Sequence, residues 1–335
     1  MKNAFVTGGT GLLGNNLVRQ LLARGYRVKA LVRDAAKARQ QFDGLDVDIV
    51  VGDLRQVAGF AAALAGSDVL FHTAAYFRDS YSGGSHTQPL YDVNVTGTEQ
   101  LLVAAYAAGV RRLVHTSSIA VLGDNGGAVV DERHVQAASA KVDDYYRSKI
   151  DTDQRVYAFL DSHPDMWAAL VLPGWMHGPG DLGPTSAGQF VLDYMRGKLP
   201  GIVDGAFSLV DARDVAATMI AVAEGGRRGE RYLAAGQALD MRTLCQLMQQ
   251  VSGKAAPTRT IPGWVLWGIA ALQEGYARLT GKPVLLSLAT VRNMAADHGR
   301  RFSGAKIERE FGIRFRPLEQ TLADELAWYR QHAWL

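Results

Sequence analysis

The chain of 335 residues carries a single cysteine, Cys245. One thiol closes no disulfide within the chain and builds no cysteine-based metal site. Histidine offers no metal site either. His72, His86, His115, His134 and His177 show no ligand spacing on a shared element and read as structural or solvated. No metal is expected. Charge of one sign is also lacking: 36 Lys and Arg stand against 33 Asp and Glu, a net charge of +3, and the cations are scattered rather than striped. That excludes nucleic acid as a partner. There is no internal repeat and no low-complexity segment. The longest apolar stretch, Ile261 to Leu272 with Trp264 and Trp267, is too short to span a bilayer, so no stable membrane insertion is expected. It reads as a packed helix. The start enters a strand at once and glycines soon interrupt it, unlike a signal peptide, so a cytoplasmic setting is expected.

What is present is an ordinary globular composition, 48% apolar and 21% charged, long enough for one large or two modest domains. Lys2 to Gly14 organises it. Ala4, Phe5 and Val6 form a short apolar run suited to a strand buried on both faces. Thr7 to Gly14 gives T-G-x-x-G-x-x-G, with glycines at 8, 11 and 14. Asn15 to Arg24 then places Leu17, Val18, Leu21 and Leu22 at helical spacing. Strand, glycine turn and helix are the context of a dinucleotide loop. Glycines let the backbone approach a pyrophosphate, and the helix N-terminus offers it free N–H groups.

Gly25 closes that helix, and Arg27 to Val32 reads as the second strand. A dinucleotide fold commonly ends this strand on an acidic residue that holds the adenosine 2′-OH. Val32 stands there and Arg33 follows. A cation suits a 2′-phosphate, so NADP(H) is expected ahead of NAD(H), with Asp34 keeping NAD(H) usable. Asp46 to Val51 is a third strand, leading into Asp53 and Leu54, and Phe60 to Leu64 fits a helix. Val69 to His72 is the fourth strand. The small residues Thr73, Ala74 and Ala75 follow it, then Tyr76, at the strand end where ligands lie in doubly wound sheets. Phe77 to Leu90 reads as a long loop, including the Ser80–His86 stretch, and Tyr91 to Ala108 as a long helix with Asn94 near its start. Leu113 to Thr116 is the fifth strand and runs into Ser117 and Ser118. After a polar loop, Gly123 to Ala140, come a helix over Asp143 to Leu160 and a strand over Trp167 to Leu172 that ends at Pro173.

This alternation predicts an α/β fold, a Rossmann-type doubly wound parallel sheet with helices on both faces. Regularity breaks at Pro173. Ser208 to Val210 and Arg231 to Ala234 read as strands about a helix over Asp211 to Ala223, and helices are expected from Met241, Pro262 and Leu285 and over Pro317 to Trp334. Residues 1–174 are expected to form the dinucleotide-binding domain, with 207–234 returning to it. Residues 175–206 and 235–335 are expected to form a smaller C-terminal substrate-binding lobe.

Tyr145-Tyr146-Arg147-Ser148-Lys149 contains Y-x-x-x-K, which on a helix puts ammonium and phenol on one face. A free phenol, with a pKa near 10, is a poor base at neutral pH, and a neighbouring cation favours its phenolate. Such a tyrosine exchanges a proton with a carbonyl oxygen. Ser118, at a parallel strand's carboxyl end, can hydrogen-bond the same oxygen. A second match, Tyr194 and Lys198, has no strand-end hydroxyl upstream and reads as a surface helix end.

Thr7-Gly8-x-x-Gly11-x-x-Gly14, Asp53-Leu54, Ala74-Ala75, Asn94, Ser117-Ser118, Tyr145-x-x-x-Lys149 and Pro173…Gly178-Pro179 occur here in sequence. With them the chain resembles, over nearly its whole length, an extended short-chain dehydrogenase/reductase of the NAD(P)-dependent epimerase/dehydratase superfamily, in its dihydroflavonol reductase-like branch. The resemblance implies that Tyr145 is the acid/base, that Lys149 lowers its pKa and binds the nicotinamide ribose, and that Ser118 orients the substrate. Ser117 would lie near the nicotinamide, and Asn94 would position the site or bond a helix start. Thr7, Gly8, Thr10, Gly11, Leu12, Leu13 and Gly14 would hold the cofactor, with Asp53 and Leu54 at the adenine, Ala74 and Ala75 along the pyrophosphate–ribose path, and Pro173 beyond them. A homodimer built from the Tyr91 and Asp143 helices is also implied.

The activities of such proteins differ at a few places. Sugar 4,6-dehydratases carry Asp-Glu just after the strand-end hydroxyl, where this chain has Ile119 and Ala120. Sugar epimerases commonly place Asn two residues after the proline, where this chain has Trp175. Trp suits a ring or acyl chain better than a phosphate. The expectation is therefore an NADP(H)-dependent reductase of a small, largely apolar ketone or aldehyde, or the reverse alcohol oxidation. Tyr76, Ser118, Trp175 and His177 would contact substrate, His177 from the pocket mouth, and Leu266, Trp264 and Trp267 would extend the apolar pocket. A nucleotide-sugar epimerase and a non-catalytic cofactor-binding regulator are the alternatives.

Overall fold

A computed structural model describes residues 2–77, 87–123, 125–126, 128–136, 142–280, 288 and 300–335. The Ser80–His86 stretch and the helix expected from Leu285 lie outside these residues. The chain opens with β1 (Asn3–Thr7), α1 (Leu12–Ala23), β2 (Arg27–Val32), α2 (Ala35–Gln41), β3 (Val47–Val51) and β4 (Val69–His72). The helix α1 begins at Leu12, three residues before the start expected at Asn15, because the glycine turn itself winds into the first turn. The helix expected over Phe60 to Leu64 is instead two short 3-10 turns, Leu54–Gly59 and Ala61–Leu64.

Next come α3 (Thr87–Leu90), a π-helical turn (Tyr91–Thr96), α4 (Gly97–Ala107) and β5 (Arg112–Thr116). The single long helix expected from Tyr91 is thus preceded by a helical turn and widened by one π turn, which holds Asn94. The polar loop after Ser118 contains a short strand, β6 (Val129–Val130), and precedes α5 (Asp144–Ser162) and β7 (Trp167–Pro173).

Six of these strands form one parallel sheet in the order β3-β2-β1-β4-β5-β7, and β11 (Arg231–Ala234) adds the seventh at the far edge. Strand order reverses between β1 and β4, the point at which doubly wound sheets leave a crevice. Side chains alternate between the two faces as period two requires. Val6 and Val28 pack with Leu17 and Leu21 of α1, while Phe5 and Leu70 pack with Leu101 of α4 and Val156 of α5.

Between β7 and β11 the chain builds β8 (Trp175–His177), α6 (Ser186–Arg196), β9 (Ile202–Val203), β10 (Ala206–Asp211) and α7 (Ala212–Gly225). The helix α7 joins α1 on its face of the sheet, whereas β10 pairs with β8 and with β12 (Gln237–Asp240) in a separate three-stranded sheet. Neither β8 nor β12 was legible as a strand in the sequence. The remainder is α8 (Met241–Ser252), β13 (Thr260–Ile261), α9 (Gly263–Thr280), β14 (Arg301–Phe302), α10 (Ala305–Phe311) and α11 (Leu318–Gln331). Leu192 and Tyr194 of α6, Leu244 and Met248 of α8 and Leu322 and Leu326 of α11 close a core of their own.

Two glycines fix how the small sheet meets the large one. A Cβ on Gly174 would collide with the Ser208 carbonyl oxygen, and a Cβ on Gly236, whose φ is +76°, with the Leu209 carbonyl oxygen. Gly236→Ala is expected to lower stability by roughly 2–4 kcal/mol, from left-handed backbone strain and overpacking together. A urea midpoint equal to that of the parent would contradict this packing.

Candidate active site

The glycine turn is built by close backbone approach. Gly8 has φ +69°, and a Cβ there would lie 2.8 Å from the Ala74 Cα. A Cβ on Gly14 would collide with the Gly8 carbonyl oxygen, which accepts the Gly11 N–H at 2.9 Å. The helix that follows is left open. Asp34, Asp143, Thr185, Asp211 and Asp240 cap the first turns of α2, α5, α6, α7 and α8. At α1 the cap residue is Gly11, with no side-chain bond and no acidic residue in the first turn. The early N–H groups and the positive dipole end thus face the crevice, beside Thr10 and with Leu12 and Leu13 buried behind. A glycine cradle and an uncapped helix start fit the pyrophosphate of a dinucleotide.

Thr7 acts behind the cradle. Its Oγ1 accepts from the Thr73 and Ala74 N–H groups, each at 3.2 Å, and lies 2.7 Å from His72 Nδ1. With both acceptances made, the hydroxyl proton goes to Nδ1, which assigns the Nε2–H tautomer donating to Thr98 Oγ1 at 2.8 Å. Thr7 therefore ties the end of β1 to the end of β4.

At the end of β2, Val32 is buried and Arg33 is exposed. Asp34 is not turned to the crevice as a free acid. Its Oδ1 accepts the N–H groups of Ala36 and Lys37 at 2.8 and 3.0 Å, and these bonds hold its carboxyl below the ordinary range. Lys37, on the first turn of α2, adds a second cation that sequence reasoning missed. Asp53 caps the turn at Leu54 and is gripped by Arg55 at 2.7 Å, which lowers its pKa.

The phenol-bearing helix α5 carries Tyr145, Lys149 and Asp153 at successive i, i+4 positions, hence on one face. Lys149 is 4% exposed and donates from Nζ to the Thr116 carbonyl at 3.1 Å. Burial lowers its pKa to about 8, opposed by the Asp153 charge. Asp153 is buried too and accepts from Ser117 Oγ at 2.9 Å. Arg231 Nε of β11 and His115 Nε2 of β5 lie 3.8 and 3.9 Å from its oxygens. Burial raises Asp153 to about 6. The end of β5 is thus pinned to α5 twice, once through Thr116 and once through Ser117. Ser117 turns its hydroxyl inward, onto Asp153. Ser118 is half-buried, and its Oγ accepts the Ala120 N–H at 3.1 Å, which leaves its own proton to be donated. Asp153 was missed in the sequence, although its spacing from Lys149 was there to be read.

Asn94 bonds no helix start. Its Oδ1 accepts the Tyr76 N–H at 2.7 Å, and its Nδ2 donates to the Tyr76 carbonyl and to Ser148 Oγ. It clamps the segment after β4 onto α5. Phe77, next along, meets the Tyr145 ring edge-on at 4.7 Å. Ala74 is half-buried and Ala75 exposed at the β4 end, and Pro173 ends β7.

Trp175 lies in an aromatic group with Phe190, Phe207 and His177, at 5.9, 5.5 and 4.8 Å between ring centres, and donates to Ser186 Oγ at 3.2 Å. His177 is not at a pocket mouth: it is fully buried, with Nδ1 3.0 Å from Glu325 Oε2, because β8 points it at α11. Leu266 is buried, but Trp264 and Trp267 are exposed on α9 and close no pocket. Tyr194 is no surface residue. It is buried, its hydroxyl donates to the Lys254 carbonyl at 2.7 Å, and Gly197 ends the helix before Lys198. Among the described residues no cluster of His, Cys, Asp and Glu could hold a metal ion.

The NAD dependent epimerase/dehydratase family model matches residues 4–235. Sterol demethylase protein B of Methylococcus capsulatus is 35% identical over 329 residues, which cover 98% of each chain. A putative dihydroflavonol 4-reductase of Synechocystis is 31% identical over 336 residues, 99% of this chain and 95% of that one. The solved structure of gox2253 superposes over 100% of both chains with a TM-score of 0.85 and 31% identity. The chain belongs to the NAD dependent epimerase/dehydratase family, the extended short-chain dehydrogenase/reductases, which are NAD(P)-dependent enzymes.

The buried histidines make the fold acid-sensitive. His72 is pushed down to about 3 and His115 well below its ordinary value, chiefly by burial. Both are neutral when folded and take up protons on unfolding, so their contribution is complete above about pH 6.5 and is lost as pH falls. Asp153, raised to about 6, takes up its proton in the folded state and opposes one of them. The net expectation is a loss of roughly 1–2 kcal/mol per pH unit between about pH 6 and pH 5. Urea midpoints that stay level between pH 7 and pH 5 would contradict neutral, buried rings.

Proposed function

We propose that this member of the family is an NADP(H)-dependent oxidoreductase that reduces a ketone or aldehyde of a largely apolar substrate, or oxidises the matching alcohol. In this reading the pyrophosphate lies on Gly8, Thr10, Gly11, Leu12, Leu13 and Gly14. Arg33 and Lys37 hold the 2′-phosphate, and Asp53 and Leu54 face the adenine. Ala74, Ala75, Ser117, Lys149 and Pro173 line the remaining path. When bound, the nicotinamide supplies or accepts the hydride. Residues 1–174 serve the cofactor and the later segments the substrate, with a homodimer formed through α4 and α5 in the cytoplasm.

The chain's own residues handle the proton. Tyr145 gives its proton to the substrate oxygen in reduction and takes one back in oxidation. The buried Lys149 ammonium stabilises the phenolate left behind. Ser118 donates to the same oxygen, since its lone pair already accepts the Ala120 N–H. Asn94 holds Tyr76 against this side of the site.

The observation that carries the apolar substrate is the aromatic setting of Trp175, whose ring is packed by Phe190 and Phe207. Likeness to a sterol demethylase protein and to a putative dihydroflavonol 4-reductase supports a fused-ring substrate. Nucleotide-sugar epimerisation would use the same tyrosine but would need a diphosphate contact where Trp175 stands.

Tyr145→Phe is expected to cut kcat by ~10²–10⁴-fold while the NADPH Kd changes by less than about twofold. Retained turnover would remove Tyr145 from the acid/base role. Arg33→Ala is expected to weaken NADPH by ~10-fold or more and to spare NADH. Equal weakening of both cofactors would show that Arg33 does not read the phosphate.

A further inference from the structure

We propose that the outward face of α9 docks on the surface of an anionic phospholipid bilayer. Six of the eleven large apolar side chains exposed among the described residues belong to this one helix: Trp264, Trp267, Ile269, Leu272, Tyr276 and Leu279. Trp264, Leu272 and Leu279 are 78%, 76% and 88% exposed. Helical spacing gathers them on one side. The opposite side is already packed: Leu266 and Ala270 meet Ile261 and Val203 of the β13–β9 pair. From Gly263 to Tyr276 the only charged residue is Glu274, which is half-buried and accepts the Leu288 N–H at 2.8 Å. The outward ridge therefore carries no charge over that span.

The composition of the ridge fits a bilayer. Trp and Tyr combine an apolar ring with a polar edge and settle at the headgroup level. Arg242 and Arg259 are exposed beside the start of the helix, with Arg242 Nη2 donating to Thr260 Oγ1 at 3.0 Å, and they supply cations for anionic headgroups. A bilayer receives a convex ridge without a complementary groove. The other exposed apolar residues, Val51, Val103, Val129, Val135 and Leu335, are scattered over separate elements and offer a second copy no matching patch for head-to-tail assembly. No helix among the described residues is long and apolar enough to cross a membrane, so α9 would lie in the interface plane.

The ridge is also linked to the aromatic group at Trp175. Within β9, Ile202 packs in the core that includes Trp175, and the next residue, Val203, packs against α9. A docked α9 would hold that lobe at the surface into which an apolar substrate partitions. This link rests on the apolar-substrate reading above, whereas the docking does not.

The test is co-sedimentation of the purified chain with vesicles of phosphatidylcholine plus phosphatidylglycerol, and with phosphatidylcholine alone, in the absence of substrate. The chain is expected to sediment with the mixed vesicles, more strongly than with phosphatidylcholine alone, and its tryptophan emission to shift to the blue. The double variant Leu272→Asp, Leu279→Asp is expected to partition about tenfold less or weaker, with unchanged NADPH-dependent turnover of a water-soluble ketone. No sedimentation of the parent chain, or equal sedimentation of the variant, overturns the proposal. A halved solution mass of the variant by light scattering also overturns it, because the face would then join two copies. Vesicle binding without any ketone turnover would leave the docking standing and sink the reductase reading alone.

Discussion

The open N-terminus of α1 is the constraint on which the rest of the site depends. It stays open because backbone meets backbone at Gly8 and Gly14, where any side chain would collide with Ala74 or with the loop itself. Thr7 then locks the ends of β1 and β4 side by side through two accepted N–H bonds and one donated proton. The crevice at the strand reversal is therefore a product of main-chain geometry. Anion affinity follows from it, since the free N–H groups and the helix dipole need a negative partner that no neighbouring side chain provides.

Behind the crevice lies a buried polar layer. Lys149, Asp153, Arg231, His115 and His72 sit where isolated charges are unfavourable. Lys149 and Asp153 lie on one face of α5, and Arg231 approaches Asp153 from the edge strand β11. The layer holds α5 to the end of β5 by the Lys149–Thr116 and Asp153–Ser117 bonds. That contact sets where Tyr145 stands relative to Ser118. A chain that only needed a stable core would do better with apolar residues there. Retaining charge in the core is consistent with a site in which a proton must move.

The Rossmann sheet was legible because each strand carries an apolar run bounded by turn residues, and β2, β4 and β11 begin and end where those runs do. The glycine turn and Y-x-x-x-K were legible because their spacing encodes local geometry. What failed was non-local. The strands β8 and β12 gain their identity only by pairing with β10, and the π turn around Asn94 is set by tertiary bonds to Tyr76 and Ser148. His177 reads alike whether it faces solvent or Glu325, and Tyr194 whether it is exposed or buried under α8. Lys37 was hidden because its place on the first turn of α2 depends on where Asp34 caps that helix.

The central claim is that this cradle delivers a nicotinamide cofactor to an apolar carbonyl. The direct measurement is to titrate the purified chain with NADPH and NADH by nicotinamide fluorescence, then add a panel of fused-ring and aliphatic ketones while following NADPH absorbance. The account predicts tighter binding of NADPH and its net oxidation by at least one apolar ketone. A tightly held cofactor that no carbonyl oxidises, together with interconversion of a nucleotide sugar, would contradict it.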